Sequence, residues 1–274
     1  MNTPTAVRPP LAMPSGPVPV VPSAITPAGW DDTQADFHAD TIEESDYARR
    51  VAPLAGGPFD DVLDVGAGSG ALTRRCLRRG ARWVAVEPNA AMRARLARLR
   101  PALAHERIDL QVEPTTWQSL PVDVRARTVL AANLGATHHE PARFFDAMSE
   151  RFRATMTWVV AAQHGPSTFC LAGFLPPELH GADMRPAHER TLDTLDGPRG
   201  PDTCTFVDWT CRRTFTSLAH AQAHFLEHLG PCADPVRDAE VAAFVARHAA
   251  VRAQGVVVSC AKRSAVLRWT GARA

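Results

Sequence analysis

Residues 61–73, DVLDVGAGSGALT, combine a glycine-rich turn with an acid at its mouth. Gly66, Gly68 and Ala71 satisfy the loose G-x-G-x-x-[GA] pattern of dinucleotide-binding loops, with Ala67 and Gly70 completing the turn. Asp64, two residues ahead of Gly66, argues against a phosphate. A fixed carboxylate a few ångströms from a diphosphate costs energy in a partly dry cleft. It suits a ligand with positive charge near the turn, and the glycines let the backbone approach that ligand closely. Glu87, followed by Pro88, ends the next apolar run and can accept hydrogen bonds from both hydroxyls of a ribose. These residues together describe a site for a cationic nucleoside without phosphates.

Other reactive side chains follow. In AANLGATHHEP, Asn133 and Leu134 are candidates to line the reactive end of such a ligand, and His138 and His139 come just after. Histidine titrates near neutrality, so either can take a proton from an oxygen or nitrogen nucleophile. The plainer alternative is that they cap a helix or pair with Glu140. His164 is a second candidate of the same kind. Thr116 offers a hydroxyl to an adenine amino group and Trp117 a ring to flank it, unless both simply start a helix. His220, His224 and His228 stand at metal-ligand spacing, but Leu218, Phe225 and Leu229 mark the buried side of their helix. No acid–cysteine set completes a metal site, so a solvated histidine face and no metal are expected.

These positions meet only if the chain alternates strand and helix. Apolar runs at FDDVLDV, RWVAVEP, RIDLQVEP, RTVLAANLG and ATMTWVVAAQHG read as five strands. GALTRRCLRRG, NAAMRARLARL (capped by Asn89) and EPARFFDAMSERF read as the intervening helices. Such alternation implies a parallel sheet wrapped by helices, with ligand beyond the carboxyl ends of the strands at a switch in strand order. Beyond residue 165 the pattern is irregular: a capping helix and loop, two strands over 190–216 joined by a Gly/Pro-rich turn, and two helices over 217–254. The final element, 256–269, reads as a hairpin turning at Lys262 to Ser264. Residues 1–28 read as a proline-rich extended tail, 29–58 as a helical lid, and 59–274 as the main domain, with 166–205 as a cap over the substrate. Trp30, Phe37, His38 and Tyr47 are the lid residues expected to meet an acceptor, with Phe169, Phe174 and Trp209 opposite.

Composition narrows the partners. The chain has 274 residues, 45% hydrophobic and 22% charged, enough for one sizeable core. A net charge of +1 gives no electrostatic case for nucleic acid or a membrane surface. No apolar run reaches the roughly 18 residues of a membrane span, and the first residues lack the apolar block of a secretion signal. The six cysteines form no C-x-x-C pair, which points to free thiols in a reducing compartment and a cytoplasmic location. Lys262 is the only lysine, a bias that fits GC-rich coding. No residue pattern bears on the oligomeric state.

S-adenosylmethionine, with its ammonium and sulfonium, is a ligand of the kind that Asp64 and Glu87 describe. The stretch VLDVGAGSGALTRRCLRRGARWVAVEPNAAMRARL resembles the first half of class I S-adenosylmethionine-dependent methyltransferases. It is closest to the small-molecule group whose motif reads VLDVGAGTG, then an acid in AVEPS, then a methionine in the next helix. Asp64, Gly66, Gly68, Gly70, Glu87 and Met92 carry that pattern, and the resemblance covers about residues 30 to 165. It implies a Rossmann-like α/β fold: a mostly parallel seven-stranded sheet with helices on both faces, an N-terminal helical lid and an insertion after strand five. It also implies S-adenosylmethionine as cofactor and methyl transfer to a small-molecule acceptor, with secondary metabolism as the setting considered.

The sequence departs from the family in three places. Thr116 stands where an aspartate usually meets the adenine. Gly135 and Ala136 replace the proline and aromatic of the N-L-P-Y signature of ribosomal-RNA adenine dimethyltransferases, which argues against RNA. Asn133 stands where metal-dependent catechol-type enzymes carry an aspartate, which argues for metal-free chemistry. Reaction of the cofactor's aminobutyryl chain, with release of methylthioadenosine, stays open as the alternative. A non-catalytic binding module and an NAD-dependent dehydrogenase are further readings, the last disfavoured by Asp64.

Overall fold

The computed structural model describes residues 32–134, 140–165, 173–180, 185–229 and 235–271. Five parallel strands form its centre: β1 (Phe59–Val65), β2 (Leu77–Val86), β3 (Asp109–Glu113), β4 (Ala126–Ala132) and β5 (Phe152–Ala161). Two long strands, β6 (Thr203–Phe215) and β8 (Gly255–Thr270), add antiparallel in the order β3-β2-β1-β4-β5-β8-β6. The short β7 (Ala249–Arg252) pairs with the start of β8, off that path. The expected mostly parallel sheet of seven strands is thus present, with β7 as an eighth.

Helices cover both faces because the strands carry apolar side chains on both. In β1, Val62 joins one core and Leu63 and Val65 the other; in β2, Trp83 and Ala85 alternate with Val84 and Val86 in the same way. The first core holds residues of α2 (Tyr47–Val51), α3 (Ala90–His105), α7 (Leu218–Leu229) and α8 (Pro235–His248), and Leu179 of the short α5 (Pro177–His180) packs against it. The second holds residues of α4 (Pro141–Ser149) and α6 (Ala187–Thr194). Asn89 caps α3 as expected, its Oδ1 accepting the Met92 N–H at 3.0 Å.

The N-terminal helices are fastened to the sheet edge. Outer-facing amides of the edge strand β6 donate in alternation to three consecutive side chains at the end of α1 (Asp32–Glu44) and in the link to α2. Thr210 N–H donates to Asp46 (2.7 Å), Arg212 N–H to Ser45 (3.0 Å) and Thr214 N–H to Glu44 (2.7 Å). The Asp46 N–H returns a bond to the Thr210 carbonyl. Side chains thereby occupy an edge that would otherwise present unpaired amides. On its other side α1 meets α3 through Arg95, which pairs with Asp36 and Asp40, both at 2.8 Å.

Several expectations are corrected. No α-helix follows the glycine turn: residues 73–75 make a single 3₁₀ turn, and β2 begins at Leu77. Phe59 pairs with Leu77, and the Phe59 amide donates to the Cys76 carbonyl, so the segment is drawn into the sheet too early for a helix. Residues 190–216 give the end of α6, a 3₁₀ turn at Gly197–Arg199 and one strand, rather than two strands. The terminal hairpin is one continuous strand, with Lys262 and Ser264 paired in mid-strand to Trp209 and Val207. His224 is not on a solvated face: its ring stacks on Phe37 at 4.2 Å between centroids.

Replacing Asp46 with Ala removes the acceptor for the Thr210 amide and the partner of Arg49. The expected loss is about 2 kcal/mol of unfolding free energy, read as a lower urea midpoint with unchanged slope.

Candidate active site

The strand order reverses between β1 and β4, so the loops that follow them open onto a common crevice. Gly66 (φ 68°) turns the chain out of β1, its amide donating to the Val86 carbonyl at 2.9 Å. A Cβ placed on Gly66 would stand 1.9 Å from Leu134 Cδ2, so the two loops meet at this point. Gly68 (φ 56°) donates its amide to Glu87 Oε2 at 2.8 Å, while Asn89 N–H donates to Oε1 at 2.8 Å. Glu87 therefore ties the glycine turn to the start of α3, and its remaining lone pairs are free to accept from a ligand. Burial raises its pKa, against the effect of those two amides. Gly70 packs against Trp83: a Cβ there would come within 2.6 Å of the indole. Met92, in the first turn of α3, is buried with its sulfur near Gly68.

Asp64 lies beneath this turn, not in open water, with 3% of its surface exposed. The Trp83 indole N–H donates to its Oδ2 at 3.2 Å, and Thr73 adds a second side-chain hydrogen bond. Burial pushes its pKa up to about 7; the two hydrogen bonds oppose that shift and Glu87 adds to it. The buried carboxylate is thus an incompletely compensated negative site beneath the glycine turn.

After β4, Asn133 adopts a left-handed conformation (φ 56°), rare for a residue other than glycine, and its amide donates to the Val159 carbonyl. Its side chain faces the Tyr47 hydroxyl. Tyr47 is buried, edge-on to Trp209 at 4.9 Å, and its hydroxyl has no well-formed hydrogen bond among the described residues. Burial drives its pKa well above the ordinary phenol value, Asn133 opposes that, and Asp64 lies within electrostatic reach. A buried hydroxyl only loosely engaged by a strained asparagine is a polar pair with capacity to hold a ligand.

Beyond Tyr47 the charge changes sign. Lys262 is 3% exposed, its Nζ 5.4 Å from the Phe174 ring centroid and 5.9 Å from that of Trp209. His38 is half-buried in the same region; desolvation first, and the Lys262 charge second, lower its pKa to about 4, so its imidazole is neutral at pH 7. Phe37 is held by β6 and α7: it stacks on His224, and the Arg213 guanidinium lies 4.2 Å from its ring.

The other expected residues are placed as follows. Thr116 is half-buried ahead of a 3₁₀ turn, and Trp117 is buried, edge-on to Phe144 at 5.3 Å. His164 is exposed past β5, within electrostatic reach of His188 on α6. Ala67 lies in the turn, its amide donating to the Val86 carbonyl, and Pro88 is exposed beside it. Trp30, His138, His139 and Phe169 lie outside the described residues. Among the described residues no group of three His, Cys, Asp or Glu side chains is placed to hold a metal ion, and no helix is long and apolar enough to cross a membrane. Lys262, read from the sequence as a turn residue, is instead buried beside the Phe174 and Trp209 rings.

The fold is similar to that of several solved proteins. One is the YcgJ protein of Bacillus subtilis, at 13% identity over 86% of this chain and 100% of that one, with a TM-score of 0.46. Another is the magnesium protoporphyrin IX methyltransferase of Synechocystis PCC 6803, solved with bound SAH, at 13% identity over 86% and 88% of the two chains and a TM-score of 0.42. A glycopeptide N-methyltransferase complexed with sinefungin is 26% identical over 46% of this chain and 56% of its own, with a TM-score of 0.35. No family model matches the chain, and no curated protein does.

In the folded chain Asp64 keeps its proton up to about pH 7, whereas in the unfolded chain it gives it up in the ordinary carboxylate range near 3.8, so its contribution to stability is fully present below about pH 4 and is lost as pH rises through about 7. Asp64→Asn keeps an acceptor for Trp83 but cannot ionise. Relative to the parent, it is expected to gain on the order of 2 kcal/mol between pH 4 and pH 8. Urea unfolding of both proteins at those two pH values measures the difference.

Proposed function

We propose that this chain is an S-adenosylmethionine-dependent methyltransferase acting on a small organic acceptor, with residues 29–58 as its lid and residues 166–205 as part of the cover. The observation that carries this reading is Asp64: a buried, under-compensated carboxylate beneath a glycine turn at the switch point. A phosphate brought there adds charge of the same sign, whereas an ammonium or sulfonium offsets it. When bound, the cofactor supplies an electrophilic methyl group on its sulfonium.

The chain's residues have distinct parts in this reading. Gly66 and Gly68 let backbone amides approach the ligand, and Glu87 accepts the ribose hydroxyls with the lone pairs its amide donors leave. Met92 gives the nucleoside an apolar floor, and Thr116 and Trp117 border the adenine. Asn133 and Leu134 lie at the methionine end. Tyr47 and Asn133 hold the acceptor in line with the sulfonium, since methyl transfer depends on the alignment of the reacting atoms. His138 or His139, which follow Leu134 closely, take the acceptor's proton. Trp30, Phe37, His38 and His164 complete the acceptor's surroundings, and a biosynthetic role on a small molecule in the cytoplasm fits this assignment.

Incubating the protein with S-adenosylmethionine and host extract, then identifying the nucleoside products by mass spectrometry, tests the reaction. S-adenosylhomocysteine is the expected product. Methylthioadenosine instead would assign the chemistry to the aminobutyryl chain, and sub-millimolar NAD binding with no response to S-adenosylhomocysteine would overturn both readings. Asp64→Ala is expected to weaken S-adenosylhomocysteine at least tenfold, about 1.4 kcal/mol, by calorimetry at pH 8.

A further inference from the structure

Two thiols meet where the sheet edge holds the N-terminal helices. Cys211 of β6 and Cys260 of β8 stand directly opposite each other in the antiparallel ladder, so their side chains leave the same face. The Thr210, Arg212 and Thr214 amides point outward to Asp46, Ser45 and Glu44, which turns the intervening Cys211 amide inward, toward β8. The two cysteines are therefore a hydrogen-bonded cross-strand pair, for which about 5.5 Å is expected between Cα atoms. A disulfide spans roughly 4.4–6.8 Å between the same atoms, so the backbone is already within reach. The Cβ atoms of such a pair are about 5.5 Å apart, against roughly 3.5–4.5 Å in a disulfide, so closing the bridge draws the strands together locally. A bond made under that strain is readily reduced again.

The two sulfurs differ in access. Cys211 is fully buried in the first core, whereas Cys260 is half-buried. Gly173 lies over the Cys260 sulfur: a Cβ there would stand 3.5 Å from Sγ. The thiols are hydrogen-bonded to each other, and that bond lowers the Cys211 pKa to about 7 against the effect of burial, with the Lys262 charge and a Ser45 hydrogen bond contributing less. The same bond, with burial, raises the pKa of Cys260. One proton thus serves both sulfurs near neutral pH, and the thiolate it leaves is the form that oxidants attack. Burial pushes the Cys76 thiol up to about 12 and also raises Cys204, so these two stay protonated.

We propose that Cys211 and Cys260 close to a reversible disulfide when hydrogen peroxide reaches the half-buried sulfur, and that the bridge loosens the junction of α1 and α2 from β6. Cys260, its proton passed to Cys211 along their hydrogen bond, attacks one peroxide oxygen; the O–O bond breaks, leaving a sulfenic acid on Cys260 and a hydroxide that takes up the proton. Cys211 then attacks the Cys260 sulfur, the S–S bond forms and the sulfenic oxygen leaves as water. Two thiols are oxidised, one peroxide is reduced and two waters are released. Cys211 lies between the Thr210 and Arg212 amides that hold Asp46 and Ser45, and Ser45 also bonds its sulfur. Drawing Cys211 toward β8 lengthens both outward bonds, and the disulfide removes the thiolate that Ser45 faces. This switch is independent of the methyl-transfer reading and goes beyond it.

The test uses a Cys204→Ser background, because Cys204 and Cys211 fall on the same tryptic peptide. The full chain is treated with equimolar hydrogen peroxide, remaining thiols are blocked with iodoacetamide, and the peptides are mapped by mass spectrometry. The Cys211 and Cys260 peptides are expected to be joined, and to separate again with dithiothreitol. Amide hydrogen exchange at Thr210 and Arg212, read by NMR, is expected to rise about tenfold on oxidation and to return on reduction. In Cys260→Ser and Cys260→Ala, peroxide should leave both exchange rates unchanged. Recovery of the two cysteines unbridged overturns the proposal, as does a bridge that leaves the exchange rates as they were, or a rise that persists in the Cys260 variants. None of these readouts involves S-adenosylhomocysteine, so the cofactor assignment stands or falls separately.

Discussion

The missing side chain at Gly66 is the constraint on which the site depends. Leu134 occupies the space a Cβ would need, so the loop leaving β1 and the loop leaving β4 are locked together at the point where strand order reverses. Glu87 secures the same turn from the other side by holding the Gly68 and Asn89 amides. Three loops from three strands are thereby fixed at their tips. Beneath them Asp64 is buried with its charge only partly compensated by Trp83 and Thr73. Rigid loop tips over a poised charge are what a preorganised site requires, since the protein meets the ordering cost on folding rather than on binding.

The rest of the cleft follows from how α1 and α2 lie against β6. Tyr47 and His38 reach the carboxyl ends of the strands because the link between the two helices is fastened residue by residue to that edge. Shifting this link would move the Tyr47 hydroxyl away from Asn133 and His38 away from Lys262. Fold and site are coupled here through these hydrogen bonds together with the packing of Ile42, Tyr47, Ala48 and Val51 in the first core.

Much of this was legible in the sequence, for identifiable reasons. The five parallel strands are short apolar runs buried on both faces, and the acids and glycines at their ends mark the switch point. Asn89 announced the start of α3 because a cap is a local feature. Non-local pairing was not legible. Leu77 carries a helical pattern but is recruited by Phe59, eighteen residues earlier. Lys262 and Ser264 look like turn residues because they are polar; they lie in mid-strand, where Ser264 accepts the Trp209 indole N–H and Lys262 lies beside the Phe174 and Trp209 rings. His224 was assigned to solvent from its own helix, and its stacking on Phe37 depends on an element nearly two hundred residues away.

The fastening of β6 has a consequence for how the molecule behaves among its neighbours. Three amides are saturated by the junction of α1 and α2 rather than by another strand, so this stretch of the edge offers no template for strand addition by a second molecule. Any movement of α1 and α2 away from β6 also bares that template. The three residues that seat the N-terminal helices therefore also shield those amides from a neighbouring chain.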